Sequence, residues 1–260
     1  MNLLTMHEEL IEEMSDYEGQ FAYVISEGDE VIRFNEHMAA SPASTIKVPI
    51  LVEVLRQCDK GKLALEQMIE IKEADKTGGS GVLQAMNISM LSLRDLLTLM
   101  IIVSDNTATN IVIELVGVEQ MNEGFSKMGM SSTTLSRKMM DLERLQSGID
   151  NVTTANDLHT CLKAVNDEVL LSKTSRKIFY DIMHHQQFQH KLPFHMDIES
   201  IKIWNKTGSI AGVENDCGIF QKRERTVYAA IMCSKLTNER VGLHFIQQAG
   251  KKISELLEER

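Results

Sequence analysis

The spacing of apolar residues changes period four times along the chain, and each change marks a different kind of element. Over residues 2–14, Leu3, Leu4, Leu10, Ile11 and Met14 recur at helical spacing against a run of glutamates, which predicts an amphipathic helix. The stretch "QFAYVISEGDEVIRFN" then alternates apolar and polar residues on either side of "EGDE", the pattern of a hairpin. From about residue 44 to 185 the period is helical, interrupted by short polar breaks such as "KTGGSG" at 76–81. Residues 199–234 return to strand-like text in "ESIKIWNKTG", "CGIFQKRE" and "RTVYAAIMCS", and "VGLHFIQQAGKKISELLEE" ends the chain as a second amphipathic helix.

This order predicts an α/β (α+β) fold: an antiparallel sheet flanked by helices and assembled from both ends of the chain, with an all-helical lobe inserted between. The sheet lobe is expected at approximately 1–40 and 190–260 and the helical lobe at approximately 41–189. No repeat, low-complexity tract or linker-like stretch separates them, so the 260 residues read as one folding unit. The junction of two lobes is a common place for a small-molecule site.

Charge and composition narrow the partners. The formal net charge of −10 argues against nucleic acid or an anionic membrane, both of which select basic surfaces. The longest apolar run, about eight residues around "LMIIV", is far short of the ~20 that span a bilayer. The cysteines, Cys58, Cys161, Cys217 and Cys233, are scattered without a CxxC pair, which suits free thiols in a reducing compartment. The start, "MNLLTMHEELIEEM", has neither the basic region nor the apolar run of a signal peptide. These features lead to the expectation of a cytoplasmic monomer acting on a small molecule, without metal or cofactor.

Three short stretches carry candidate chemistry. In "SPASTIKVPILVEVL", Ser44 and Lys47 lie three apart at the start of an apolar helix, so both face one side. A lysine desolvated beside other cations can lose its proton and serve as base to a serine. Equally, Ser41 or Ser44 could be an N-cap and Lys47 a solvated first-turn residue. In "VSDNTATN", Ser104 and Asn106 can point together from a turn into a cleft, or Asp105 and Asn106 can simply cap the next helix. In "IWNKTGSIAG", Lys206, Thr207, Gly208 and Ser209 end a strand with a cation, a hydroxyl and small residues. A substrate backbone could lie along that edge with a carboxylate on Lys206, or the stretch could be a strand followed by a glycine turn.

The three occur in the order SxxK, SDN, KTG, with Ser104 sixty residues after Ser44 and Lys206 about a hundred beyond. That triple resembles the signature of the class A β-lactamases and penicillin-binding proteins. The resemblance covers roughly residues 18–260 and extends to "NVTTANDL" (151–158) and "GVENDCGIF" (212–220). It implies Ser44 as the acylated nucleophile, Lys47 as its base or proton relay, and Ser104, helped by Lys206, as the route of a proton to the departing nitrogen. It further implies Asn106 on the substrate's side-chain amide, Lys206 and Thr207 on its carboxylate, and the N–H groups of Ser44 and Ser209 as the oxyanion hole.

One stretch departs from the family. An ExxLN pattern in an Ω-shaped loop normally supplies the glutamate that activates the deacylating water. Here the loop reads "TTLSRKMMDLERLQSGIDNVTTA", about one residue short, and an ungapped alignment from Leu135 puts Met139 at the glutamate's place. Asp141 and Glu143 are the nearest carboxylates, and Arg137 is expected to pair with Asp150 or Asn151 across the loop's base. The resemblance therefore implies a β-lactam hydrolase if Asp141 or Glu143 serves the water. If neither does, Ser44 is expected to acylate and stay blocked, as in a penicillin-binding protein; the lack of a signal-peptide pattern adds a cytosolic amidase or esterase on the same site as the alternative. The histidines of "HHQQFQHKLPFH", His184, His185, His190 and His195, lack metal-ligand spacing and are expected at a helix end and surface loop.

Overall fold

The computed structural model describes residues 1–258. Its elements, in chain order, are α1 (Leu3–Met14), β1 (Gln20–Glu27), β2 (Glu30–Phe34), a 3-10 turn (Ala43–Ile46), α2 (Lys47–Asp59), β3 (Met68–Glu70), β4 (Met90–Ser92), α3 (Leu93–Ile102) and α4 (Asn106–Val116). There follow α5 (Val118–Lys127), α6 (Leu142–Gln146), α7 (Ala155–Ala164), α8 (Lys173–His184), β5 (Lys202–Ile210), β6 (Val213–Lys222), β7 (Arg225–Ser234) and α9 (Glu239–Glu258). The main sheet has five strands in the order β2-β1-β7-β6-β5 with every neighbouring pair antiparallel. The amino-terminal hairpin is thus sewn to the carboxy-terminal strands through β1 and β7, as the period-2 text at both ends predicts.

Alternation along the strands deals side chains to two cores. Phe21, Tyr23 and Ile25 of β1 join Val227, Ala229 and Ile231 of β7 beneath α1 and α9. Ala22, Val24, Cys217, Ile219, Ala230 and Met232 face the opposite way, toward the helices that the sequence places between the strands. Among these, α2 is enclosed almost all round, with every residue from Lys47 to Gln57 buried. Its interior charges pair with each other: Arg56 donates twice to Glu53, at 2.6 and 2.8 Å. A helix so enclosed has little freedom to shift, and its first residues are Lys47, Val48 and Pro49. Pro49 sits in the first turn, where its missing N–H removes no intrahelical bond.

The span expected to be helical is less uniform than its periodicity predicts. β3 and β4 form a separate two-stranded ribbon, and the chain between them is loops and short turns, including the "KTGGSG" segment. Strands of three residues are too short to display an alternation, which is why the text does not announce them.

Candidate active site

Ser44 lies in the 3-10 turn that runs straight into α2, and Lys47 is the first residue of that helix. The turn is entered through Pro42 with no side-chain cap, and the start of α2 has none either, so neither Ser41 nor Ser44 plays the capping role. Thr45 closes the turn instead, its hydroxyl donating to the Pro42 carbonyl at 2.7 Å. The Ser44 hydroxyl bonds to no described residue and is partly exposed. Ala43, just before it, holds a left-handed backbone at φ 47°. A non-glycine residue in that region costs on the order of 1–2 kcal/mol, so the turn is kept by its surroundings.

Lys47 is fully buried, and its Nζ reaches three oxygens: the Ser104 carbonyl at 2.8 Å, the Ser104 hydroxyl at 3.0 Å and Asn106 Oδ1 at 2.8 Å. It makes no hydrogen bond to the Ser44 side chain, although the two are one turn apart. Burial drives the Lys47 pKa well below the ordinary lysine value and the neighbouring Lys206 charge adds to this, with Asp105 opposing. In the neutral amine, the Ser104 hydroxyl can reverse its bond and donate to the nitrogen lone pair.

Ser104 holds this place in a left-handed conformation at φ 55°. Asp105 anchors the turn: one carboxylate oxygen caps α4 at Ala108 N (2.9 Å), and the other accepts from Val82 N (2.6 Å) and Leu83 N (2.8 Å). Gly81 fits against it so closely that a Cβ there would lie 2.3 Å from the Asp105 Cα. Asn106 is fixed from both ends, accepting from Lys47 and donating through Nδ2 to the Gly78 carbonyl at 3.0 Å. The capping reading of "SDN" is therefore right for Asp105, while Ser104 and Asn106 turn toward Lys47.

The third stretch lies on β5, an edge strand of the sheet. Lys206 is fully buried and donates only to the Thr207 carbonyl, at 2.7 Å, while the Thr207 hydroxyl bonds to no described residue. Burial brings the Lys206 pKa down to about 7, with Asp216 acting against the shift and Lys191 with it. Asp216 is itself pushed up to about 6 by burial, against the pull of Lys191, the Leu192 N–H and Asn205. Gly208 packs on the turn that carries Ser44: a Cβ on Gly208 would meet Pro42 O and Ser44 N at 2.8 Å each. Only glycine permits that approach of strand to turn.

Behind β5 stands a lysine that carries no signal in the sequence. Lys191 is fully buried, with Nζ 2.7 Å from the Gly208 carbonyl, 2.8 Å from the Asn215 carbonyl, 3.0 Å from Ser209 Oγ and 2.6 Å from Glu214. Ser209 Oγ in turn donates to Glu214 at 2.8 Å. Because one ammonium touches both the Gly208 and Asn215 oxygens, these paired residues form a hydrogen-bonded rung of the β5–β6 ladder. The next rung, Ser209 with Glu214, is then of the alternate kind, and the Ser209 N–H and carbonyl turn to the free edge of β5.

The Ω-like loop closes at its base as expected, and with both candidate partners. Arg137 pairs with Asp150 at 2.8 Å, while Asn151 Oδ1 accepts from Ser136 N and Arg137 N and its Nδ2 donates to Arg137 O. Asn110 clamps the loop's inner side, accepting from Met139 N at 2.7 Å and donating to Met139 O at 3.1 Å. Met139 is buried against the helical core, and Met140, at φ 61°, lies next to Gly79 and is half exposed. Neither nearby carboxylate bonds to Ser44 or Lys47. Asp141 caps α6 by accepting from Arg144 N at 3.0 Å, and Glu143 is exposed on that helix with no described partner. Asn110 is the residue a closer reading could have found, since an asparagine inside an otherwise apolar helix is a poor helix former that needs a partner.

The histidines lie at the end of α8 and in the loop beyond, and among the described residues no group of His, Cys, Asp or Glu side chains is placed to hold a metal ion. Trp204 packs edge-on against Tyr180 at 4.9 Å between ring centres. No described helix is long and apolar enough to cross a membrane.

The arrangement combines an unbonded serine hydroxyl, a depressed lysine amine, a second serine linked to that amine, and a buried cation at a strand edge. A family model described as the beta-lactamase enzyme family matches residues 5–257. A beta-lactamase of Rhodobacter capsulatus is 31% identical over 113 residues, which is 43% of this chain; the chain spans about 39% of that relative's length. A crystal structure of a beta-lactamase from Sphaerobacter thermophilus is similar over 100% of both chains, with 29% identity and a TM-score of 0.88. PBP-A, solved alone and as a point mutant in an acyl-enzyme complex with penicillin-G, is similar over 98% of this chain and 97% of its own, at 26% identity and TM-score 0.89.

Proposed function

The chain belongs to the beta-lactamase enzyme family, and from that premise we propose that Ser44 opens a β-lactam, or a related small amide or ester, to an acyl-enzyme that water releases slowly. The observation that carries the slow release is the loop: Asn110 fixes the backbone of Met139, the residue that aligns with the family's glutamate, and a thioether accepts no proton from water. Asp141 is committed to its helix and Glu143 faces solvent, so neither serves as the base.

In this reading the substrate carboxylate binds Lys206 and the Thr207 hydroxyl, and its side-chain amide meets Asn106. The neutral Lys47 amine takes the Ser44 proton as Oγ attacks the carbonyl carbon. The carbonyl electron pair moves onto oxygen, where the N–H groups of Ser44 and Ser209 receive it; the close packing of Gly208 on the Ser44 turn supports that placement. The tetrahedral centre collapses, the C–N bond breaks, and the nitrogen takes its proton through Ser104, which Lys47 replenishes. The buried lysines 47 and 206, each depressed by burial, favour an anionic substrate that restores the Lys206 charge.

The test is nitrocefin turnover together with intact-protein mass measurement. A long-lived adduct that disappears in Ser44→Ala, with little turnover, is the expected result. Rapid turnover with no accumulating adduct overturns the slow-release reading and marks a working β-lactamase. Neither adduct nor turnover points to another amide or ester substrate.

A further inference from the structure

The Lys191 cluster has no part in that mechanism. A fully buried cation with a carboxylate partner needs only Glu214 to balance it, yet the ammonium also takes two main-chain oxygens. One of them belongs to the peptide unit that joins Gly208 to Ser209. In a trans peptide the carbonyl of one residue and the N–H of the next are the two ends of one rigid, conjugated plane. A cation on the oxygen end fixes the direction of the N–H end and draws electron density from it, making it a stronger donor.

We propose that Lys191 is a positioning residue for the oxyanion site: by binding the Gly208 carbonyl it aims and polarises the Ser209 N–H toward the edge where the substrate oxyanion forms. The inference rests on the reading that Ser44 is acylated and that the Ser209 N–H receives the oxyanion. Two observations support it. The ladder alternation that Lys191 itself reveals turns the Ser209 N–H to the free edge of β5. At that same edge Gly208 abuts the backbone nitrogen of Ser44, the other donor. Glu214 and the Ser209 hydroxyl complete the setting as further partners of the same ammonium. Lys191 is otherwise enclosed and has no route to a substrate carboxylate without leaving these bonds.

The experiment uses the full chain and a β-lactam carrying a 13C-labelled lactam carbonyl. Acylation rate and saturation constant are measured separately, and the infrared stretch of the Ser44 acyl carbonyl reads the strength of the oxyanion hydrogen bonds. In Lys191→Met the acylation rate is expected to fall roughly 10- to 100-fold, short of the loss of a whole donor, with the saturation constant little changed and the band at higher frequency. Glu214→Gln keeps the cation without its counter-charge, so the band is expected to move to lower frequency; this variant decides the matter if Lys191→Met does not fold. A Lys191→Met adduct with an unmoved band, a Glu214→Gln band that does not fall, or a loss confined to the saturation constant overturns the inference while leaving the acylation reading intact. A wild-type protein that forms no adduct overturns the inference together with the reading of Ser44 as a β-lactam nucleophile.

Discussion

Lys47 and Ser104 are joined twice, the lysine Nζ lying 2.8 Å from the serine carbonyl and 3.0 Å from its hydroxyl. The bond to the carbonyl holds Ser104 in its left-handed backbone, and the bond to the hydroxyl makes a path for a proton between the two side chains. Lys47→Met should break both functions. Acylation is expected to fall about 10²- to 10⁴-fold, the range of a lost general base. The stranded Ser104 carbonyl and Asn106 amide oxygen should cost roughly 2–3 kcal/mol of stability. Stopped-flow acylation and thermal unfolding check the two. Lys47→Arg should not restore acylation, because a guanidinium does not give up its proton.

The pH profile of acylation should be bell-shaped. As pH falls through the depressed pKa of Lys47, the amine is protonated and the base is lost. As pH rises through about 7, Lys206 loses the charge that anchors the substrate carboxylate. A bound carboxylate favours the charged lysine, so under saturation the alkaline limb should shift upward. With a substrate lacking the carboxylate, the alkaline limb should vanish; its persistence would show that Lys206 acts in proton transfer instead.

Met139→Glu should shorten the life of the adduct. Asn110 grips the Met139 backbone on both sides, so the substitution is expected to leave the loop's path in place. A carboxylate there is expected to speed deacylation by roughly 10²- to 10⁴-fold, the usual range for general-base help. Mass measurement of adduct decay is the assay. An unchanged lifetime would mean that the loop lacks more than a base.

Asn110→Ala should loosen the loop rather than the catalytic cluster. It removes bonds to Met139 N, Met139 O and the Thr77 hydroxyl, a loss on the order of 2–3 kcal/mol. Unfolding should shift accordingly, and hydrogen exchange should rise across residues 137–146.

Gly208→Ala should push β5 off the Ser44 turn, since its Cβ would fall 2.8 Å from two backbone atoms. Backbone yields less readily than side chain, so about 1–3 kcal/mol of destabilisation is expected. Acylation should drop more steeply than substrate binding, because the two oxyanion donors separate.

What could be read from the chain, and what could not, divides by range of interaction. The hairpin "QFAYVISEGDEVIRFN" and the strand that carries "KTG" announce themselves because sheet alternation is local and half-buried strands must obey it, although β5 runs on through Ile210 rather than turning at Gly208. Ser44, Lys47, Ser104, Asn106 and Lys206 stand out as candidates by type and order, and the structure brings Lys47, Ser104 and Asn106 into contact. The capping alternative for Ser44 was equally legible, and only the uncapped 3-10 turn removes it. Lys191 was invisible, because a lysine before "LPFH" looks like any surface lysine until Gly208, Glu214 and Asn215 close over it. Asn110 stands between these cases: its place in an apolar helix signals that it needs a partner, but not that the partner is a backbone twenty-nine residues away.

The pairing of β1 with β7 has a consequence in time. Glu27 stands opposite Val227, so the sheet closes only when residues two hundred apart meet. Contacts of that separation form slowly, and the β1–β2 hairpin must wait with one edge unpaired while the helices between are made. Lys206 and Ser209 emerge before their sheet has its central strand, so Ser44 faces an unfinished cleft throughout synthesis. If a β-lactam acylates Ser44 as proposed, covalent labelling would report that β7 has docked, making acylation a chemical clock for closure of the sheet.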